Sequence, residues 1–182
     1  MLRSFFPLRR HVLVSTAACL TLAACGGGDD GPAPESLSAT AKLAVLSTTD
    51  LHFNVRSYDY FKLAEGKCYG FVRTATLVRN ARKEFAYTLL GDNGDTIQGT
   101  AIADYEAVVK TIPCTQQLSM YKAMGALAFD AGTLGNHEFN YGLPFLNQVL
   151  GGGMDVDGVD AKLKCAGNGY PAVLSNVYSS KS

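Results

Sequence analysis

Three short apolar runs, "KLAVLSTTD", "AYTLLGD" and "FDAGTLG", each lead into a polar cluster of Asp, Asn, His and Gly, and the clusters recur about forty residues apart. Apolar runs of this length bounded by turn residues read as strands. Between them, "GFVRTATLVRNARKEF" sets Phe71, Ala75, Val78, Arg82 and Phe85 at helical spacing, which predicts an amphipathic helix. "IADYEAVVK" and "LSMYKAMGAL" read as helical pieces broken by Pro113, "LPFLNQVLG" as a further helix, and "AVLSNVY" as a last strand. Strands alternating with helices predict an α/β fold, a layered sheet with parallel neighbours. In such a sheet, ligands sit outside the carboxyl ends of the strands, so the three clusters converge on one edge.

The clusters are "TTDLHFN" (48–54), "GDNGDTIQG" (91–99) and "LGNHEFNYG" (134–142). Taken singly each is weak: Asp-x-His is common by chance, and Asn136-His137 could be a helix cap beside a surface histidine. Two of the three histidines of the chain nevertheless fall in these clusters, and the third, His11, lies near the N-terminus. Asp50 and His52 are two apart, so in an extended chain they project to one side. A carboxylate and an imidazole there suit a divalent ion such as manganese, iron or zinc. Asn136 offers a neutral amide oxygen. A carboxylate from the middle cluster could bridge two ions about 4 Å apart, the spacing of two-metal hydrolases. That cluster holds two candidates, Asp92 and Asp95, which cannot both fill one central position.

Elsewhere the chain reads as delivery rather than chemistry. Arg3, Arg9 and Arg10 precede a short apolar stretch, Val12 to Ala24, with the layout of a secretory signal. "LAAC" ending at Cys25 resembles a lipobox, which implies cleavage after residue 24, lipidation of Cys25 and a membrane partner through the lipid. Residues 25–41 then form a Gly/Pro/Ser-rich tether, and 42–182 the folded domain. Loss of three arginines leaves 13 basic against 16 acidic side chains, so nothing suggests a nucleic-acid polymer partner, and no protein partner is evident. Cys68, Cys114 and Cys165 remain; a disulfide is plausible in an oxidising compartment, but the sequence assigns no pair. Asp155, Asp157 and Asp160 around Gly158 lack the glycine and glutamate positions of a calcium loop and read as a solvated loop.

"TDLH", "NGDTIQG" and "GNHEFNYG", in this order, resemble the first three motifs of the calcineurin-like metallophosphoesterases. "YDYFK", "GFVRTATLV" and "LGNHEFNYGL" are most similar to the branch of bifunctional 2',3'-cyclic-nucleotide 2'-phosphodiesterase/3'-nucleotidases. The resemblance spans roughly residues 43–150. It implies two divalent metal ions, nucleotide substrates and a periplasmic location, where the lipobox would add a lipid anchor. Gly26 after the anchor, rather than aspartate, points by analogy to the outer membrane. In the family the bridging aspartate precedes x-Ile-Gln-Gly, which is Asp95, and the Asn93-Gly94 turn suits that role by aiming the next side chain into a cleft. Asp50 and His52 would then serve the first ion, Asn136 the second. Asp92 would be a supporting or turn-capping group.

His137 would not bind metal; it would stabilise the transferring phosphoryl group or protonate the leaving oxygen. Many 5'-nucleotidases carry an aspartate three residues after this histidine, whereas this chain has Asn140, expected to hold a ring N–H without a full charge. Glu138 is left undecided between a supporting group and a helix start. The family completes its metal centre with later histidines, and none follows His137 here. The expectation is therefore the N-terminal part of a metallophosphoesterase fold, incomplete and inactive by itself. The competing readings are a 5'-nucleotidase or nucleotide-sugar hydrolase on the same scaffold, and a non-catalytic truncated lipoprotein. For the anchor, Cys25→Ser should abolish incorporation of labelled fatty acid; label that persists in the variant would refute the lipobox reading.

Overall fold

The computed structural model describes residues 40–66, 68–175, 177 and 178, so the expected signal peptide, Cys25 and all but the end of the tether lie outside the described residues. The strand β1 (Leu43–Thr48) pairs in parallel with β4 (Tyr87–Asp92), which pairs in parallel with β5 (Ala131–Gly132). A two-residue antiparallel pair, β2 (Tyr58–Asp59) with β3 (Ala64–Glu65), decorates the first crossover. The predicted α/β architecture is therefore present, with β4 central. The register sets Thr48 against Asp92 and Asp92 against Gly132, so all three strands end at one level. That alignment delivers the three polar clusters to one edge.

The crossover helix α1 (Phe71–Glu84) forms where the periodicity predicts it, burying Phe71, Ala75 and Val78 at i, i+4 and i+7. Arg82 extends this stripe by donating from both guanidinium nitrogens to the carbonyls of Leu127 and Ala128, 3.0 Å in the second case. Phe85, expected on the same face, lies past the helix with φ −113, because the chain there is already extending toward β4. Thr100 caps α2 (Ala101–Asp104), accepting from the Ala103 N–H, and the helix widens into a π-turn at Tyr105–Val109. The next helices, α3 (Ser119–Gly125) and α4 (Leu143–Val149), bury Met120, Tyr121, Met124, Phe145, Leu146 and Val149 in the core beside Leu90 of β4. None of the helices among the described residues is long and apolar enough to cross a membrane.

The sheet and the segment after α4 add three findings. The strands β1 and β4 are covered on one face only; Leu43, Val45, Tyr87 and Leu89 are exposed on the other, in register as Leu43 with Tyr87 and Val45 with Leu89. "AVLSNVY" does not form a strand among the described residues. It meets the sheet at one bridge, Gly132 with Ala172, because β5 is two residues long and Pro171 has no N–H to continue a ladder. The acidic loop 151–171 is exposed at Asp155, Asp157 and Asp160, but Met154 and Val156 are buried and Asn147 pins both ends of the turn.

Cys114 and Cys165 form a disulfide, the pair that the sequence left unassigned, while Cys68 is exposed and unbonded among the described residues. The bridge ties the chain before α3 to the acidic loop, with Ala166 donating to the Cys114 carbonyl at 2.9 Å. A closed loop of 51 residues removes unfolded-state entropy worth about 4 kcal/mol in the chain-entropy account. Replacing both cysteines with serine should lower the urea midpoint by an amount equivalent to about 2–4 kcal/mol, with the native circular dichroism retained. An unchanged midpoint would show that the bridge contributes no stability.

Candidate metal centre

The loop after β1 is not extended, as the Asp50–His52 spacing suggested. Asp50, His52 and Phe53 all have left-handed backbones, with φ of 51, 45 and 58. Such a conformation costs about 1–2 kcal/mol per residue. Three backbone hydrogen bonds offset it: Asp50 N–H to the Gly94 carbonyl (3.1 Å), His52 to Asp95 (2.9 Å) and Phe53 to Thr96 (2.8 Å). Phe53, 1% exposed, anchors the loop in the core. The two side chains still meet, Asp50 Oδ1 lying 3.7 Å from His52 Nε2. His52 Nδ1 sits 2.9 Å from the Gln98 carbonyl, which can only accept. The ring proton is therefore on Nδ1, and Nε2 presents a lone pair, as a metal ligand requires.

The loop after β4 separates its two aspartates. Asp92 is buried and accepts from the hydroxyls of Thr48 and Thr96, each at 2.6 Å, and from the Gly94 N–H at 3.3 Å. Burial pushes its carboxyl above the usual 3.8, against the pull of those donors. Asp95, left-handed at φ 57, turns the other way, and its Oδ1 accepts the His137 N–H at 2.8 Å. The turn between them is crowded by backbone. A Cβ on Gly94, whose φ is 89, would lie 2.2 Å from the Gly135 nitrogen, and one on Gly135 would lie 2.2 Å from Asp95 Oδ1.

The third loop supplies Asn136, His137 and Glu138, with a single 3-10 turn at His137–Phe139. Ligand atoms of His52, Asp95 and His137 all lie within 4.8 Å of one another, and the two imidazoles meet edge to face with centroids 5.0 Å apart. Asp50 adjoins this group through His52. Asn136 starts the turn with its side chain exposed. His137 Nδ1 lies 2.9 Å from Asn140 Nδ2. The expected contact between the Asn140 amide and the His137 ring is therefore present, through Nδ1. Tyr141 ties the same loop to α2 by donating to Asp104 Oδ1 at 2.6 Å.

The donor set fits divalent ions of intermediate softness: one imidazole lone pair, exposed and half-buried carboxylates, and an amide. Glu138, undecided in the sequence, is 1% exposed and turned inward on backbone N–H groups. The Glu at the third position of "NHE" was the available signal, since a carboxylate beside a tight turn commonly caps N–H groups.

No family model matches the chain. A 2',3'-cyclic-nucleotide 2'-phosphodiesterase/3'-nucleotidase of Yersinia enterocolitica is 45% identical over 115 residues, 63% of this chain and 18% of the relative. The trifunctional nucleotide phosphoesterase protein YfkN of Bacillus subtilis is 42% identical over 135 residues, 72% of this chain and 9% of the relative. The crystal structure of the calcineurin-like phosphoesterase YfkN from Bacillus subtilis superposes with a TM-score of 0.60 at 39% identity, over 73% of this chain and 36% of that one. The fold is that of the calcineurin-like phosphoesterases. The chain spans less than a fifth of the length of these curated relatives, 18% and 9%.

The opposite orientations of the two aspartates give a direct test. Asp95→Asn should lower manganese affinity by several orders of magnitude, and Asp92→Asn by about 10–100-fold, as for groups that support a ligand without touching the ion. Isothermal titration of both variants decides it; loss of binding in the Asp92 variant with retention in the Asp95 variant reverses the assignment.

Proposed function

We propose that the protein is a metal-dependent phosphoesterase acting on 2',3'-cyclic nucleotides and 3'-nucleotides. The observation that carries this reading is the meeting of three post-strand loops at one sheet edge, where His52, Asp95 and His137 bring an imidazole, a carboxylate and a second imidazole within 4.8 Å of one another. Asp50, His52 and Asp95 would hold one divalent ion, and Asp95 with Asn136 the second. A bound pair of ions supplies an activated water and a grip on the phosphoryl oxygens. The second ion has only two donors in this set, so turnover rests on further ligands, and these residues alone would bind it weakly.

His137 belongs to the same cluster, and its role is to stabilise negative charge on the transferring phosphoryl group or to protonate the leaving oxygen. Asn140 holds the ring through Nδ1. A carboxylate at position 140 would add a full charge to stabilise the imidazolium. The lipid anchor at Cys25 and an outer-membrane location facing the periplasm belong to the same proposal; they rest on the N-terminal sequence.

Phosphate release by the full-length protein from 3'-AMP, 5'-AMP and 2',3'-cyclic AMP tests the reading. Turnover of the cyclic and 3'-substrates that needs added divalent metal, and falls at least 100-fold in His137→Ala, is the expected result. Hydrolysis of 5'-AMP alone would overturn the substrate assignment.

A further inference from the structure

Two loops grip each other through a reciprocal exchange of carboxylates and backbone amides. Glu138 Oε2 accepts from the N–H groups of Asp95 (2.8 Å) and Gly135 (2.7 Å), and Oε1 from those of Thr96 (2.5 Å) and Ile97 (3.3 Å). In return, Asp95 Oδ1 accepts the N–H of His137, next to Glu138. No ion pair reaches Glu138 among the described residues, and its charge lies close enough to Asp92 to raise that carboxyl further. A carboxylate 1% exposed with no cationic partner is unfavourable unless its oxygens are saturated with donors. Four amides do this here, and three of them belong to consecutive residues 95–97. An apolar side chain would fill this space but leave the four N–H groups without an acceptor.

We infer that Glu138 is a positioning residue: it fixes the main chain of Asp95 so that the Asp95 carboxylate stands toward His52 before any ion arrives. The inference rests on the reading of Asp95 as a metal ligand and deepens it. Without Glu138, residues 95–97 lose their common acceptor. The left-handed Asp95 is then held by the His52 N–H on its carbonyl and the His137 N–H on its carboxylate, and the ligand must be ordered at the moment of binding, which lowers affinity. The charge of Glu138 also favours a nearby cation, so position and charge have to be separated.

Two substitutions in the full-length protein separate them. Glu138→Gln removes the charge and turns an amide NH2 toward backbone N–H groups; Glu138→Asp keeps the charge but is one methylene too short to reach all four. Two readouts are taken below the thermal midpoint of each variant. Hydrogen exchange of the peptides containing residues 95–97 and 135 should quicken at least tenfold in both variants, with or without metal. Manganese affinity should fall about 10–100-fold in both. Unchanged exchange would overturn the clamp. Wild-type affinity in Glu138→Asp would show that charge alone matters, and wild-type affinity in both would show that Glu138 is only structural; either overturns the positioning role. If Glu138→Gln does not fold, Glu138→Asp alone carries these outcomes. If the unsubstituted protein binds no manganese, the metal reading fails, and the exchange data still decide the clamp.

Discussion

Three backbone N–H groups, those of Asp50, His52 and Phe53, donate to the carbonyls of Gly94, Asp95 and Thr96, and the candidate site depends on that short ladder. It continues the β1–β4 pairing past the end of the sheet, at a place where neither chain is a strand. Its geometry requires left-handed residues at 50, 52 and 53, a conformation that non-glycine residues hold only when neighbours over-determine it. Here the neighbours are the sheet below, the Phe53 ring in the core and the opposing carbonyls. The third loop then locks onto the second through Glu138 and Asp95. The loops are thus held largely through backbone N–H and carbonyl groups, which leaves the exposed side chains of Asp50 and Asn136, and one nitrogen each of His52 and His137, at the rim.

The two imidazoles lie in the same cluster, with centroids 5.0 Å apart, and each is oriented by a partner outside it. The Gln98 carbonyl accepts from His52 Nδ1 and leaves the lone pair on Nε2, while the Asn140 amide meets His137 at Nδ1. Each ring thus has one nitrogen engaged by the protein and the other left over.

Much of this was legible in the sequence, for physical reasons that particular residues make plain. The helix over Phe71–Glu84 and the three strands carry strong local periodicity, and the polar clusters follow because a parallel sheet places strand ends together. The expectation of Asp95 rather than Asp92 as the bridging ligand rested on the family motif x-Ile-Gln-Gly, with the local Asn93-Gly94 turn signal in agreement. What was missed is non-local. The left-handed loop at Asp50–Phe53 exists because of carbonyls more than forty residues away, and the extended reading of Asp50-x-His52 had no means of anticipating it. The Cys114–Cys165 bridge closes 51 residues of chain. Glu138 finds three of its four donors in another loop. The weak end of the sheet at Ala172 reflects a partner strand only two residues long.

The contact between Gly94 and Gly135 brings main chain against main chain, with no side chain between. The span from Asp95 to Asn136 is therefore set by peptide dimensions, which substitution cannot lengthen by small steps as it can where side chains act as spacers. Any retuning of the centre toward a different ion has to come from exchanging the donors themselves, a carboxylate for an amide or an imidazole for either, across a gap of constant width. Divergent enzymes built on this crossing should differ in the chemistry of their ligands far more readily than in the distances between them.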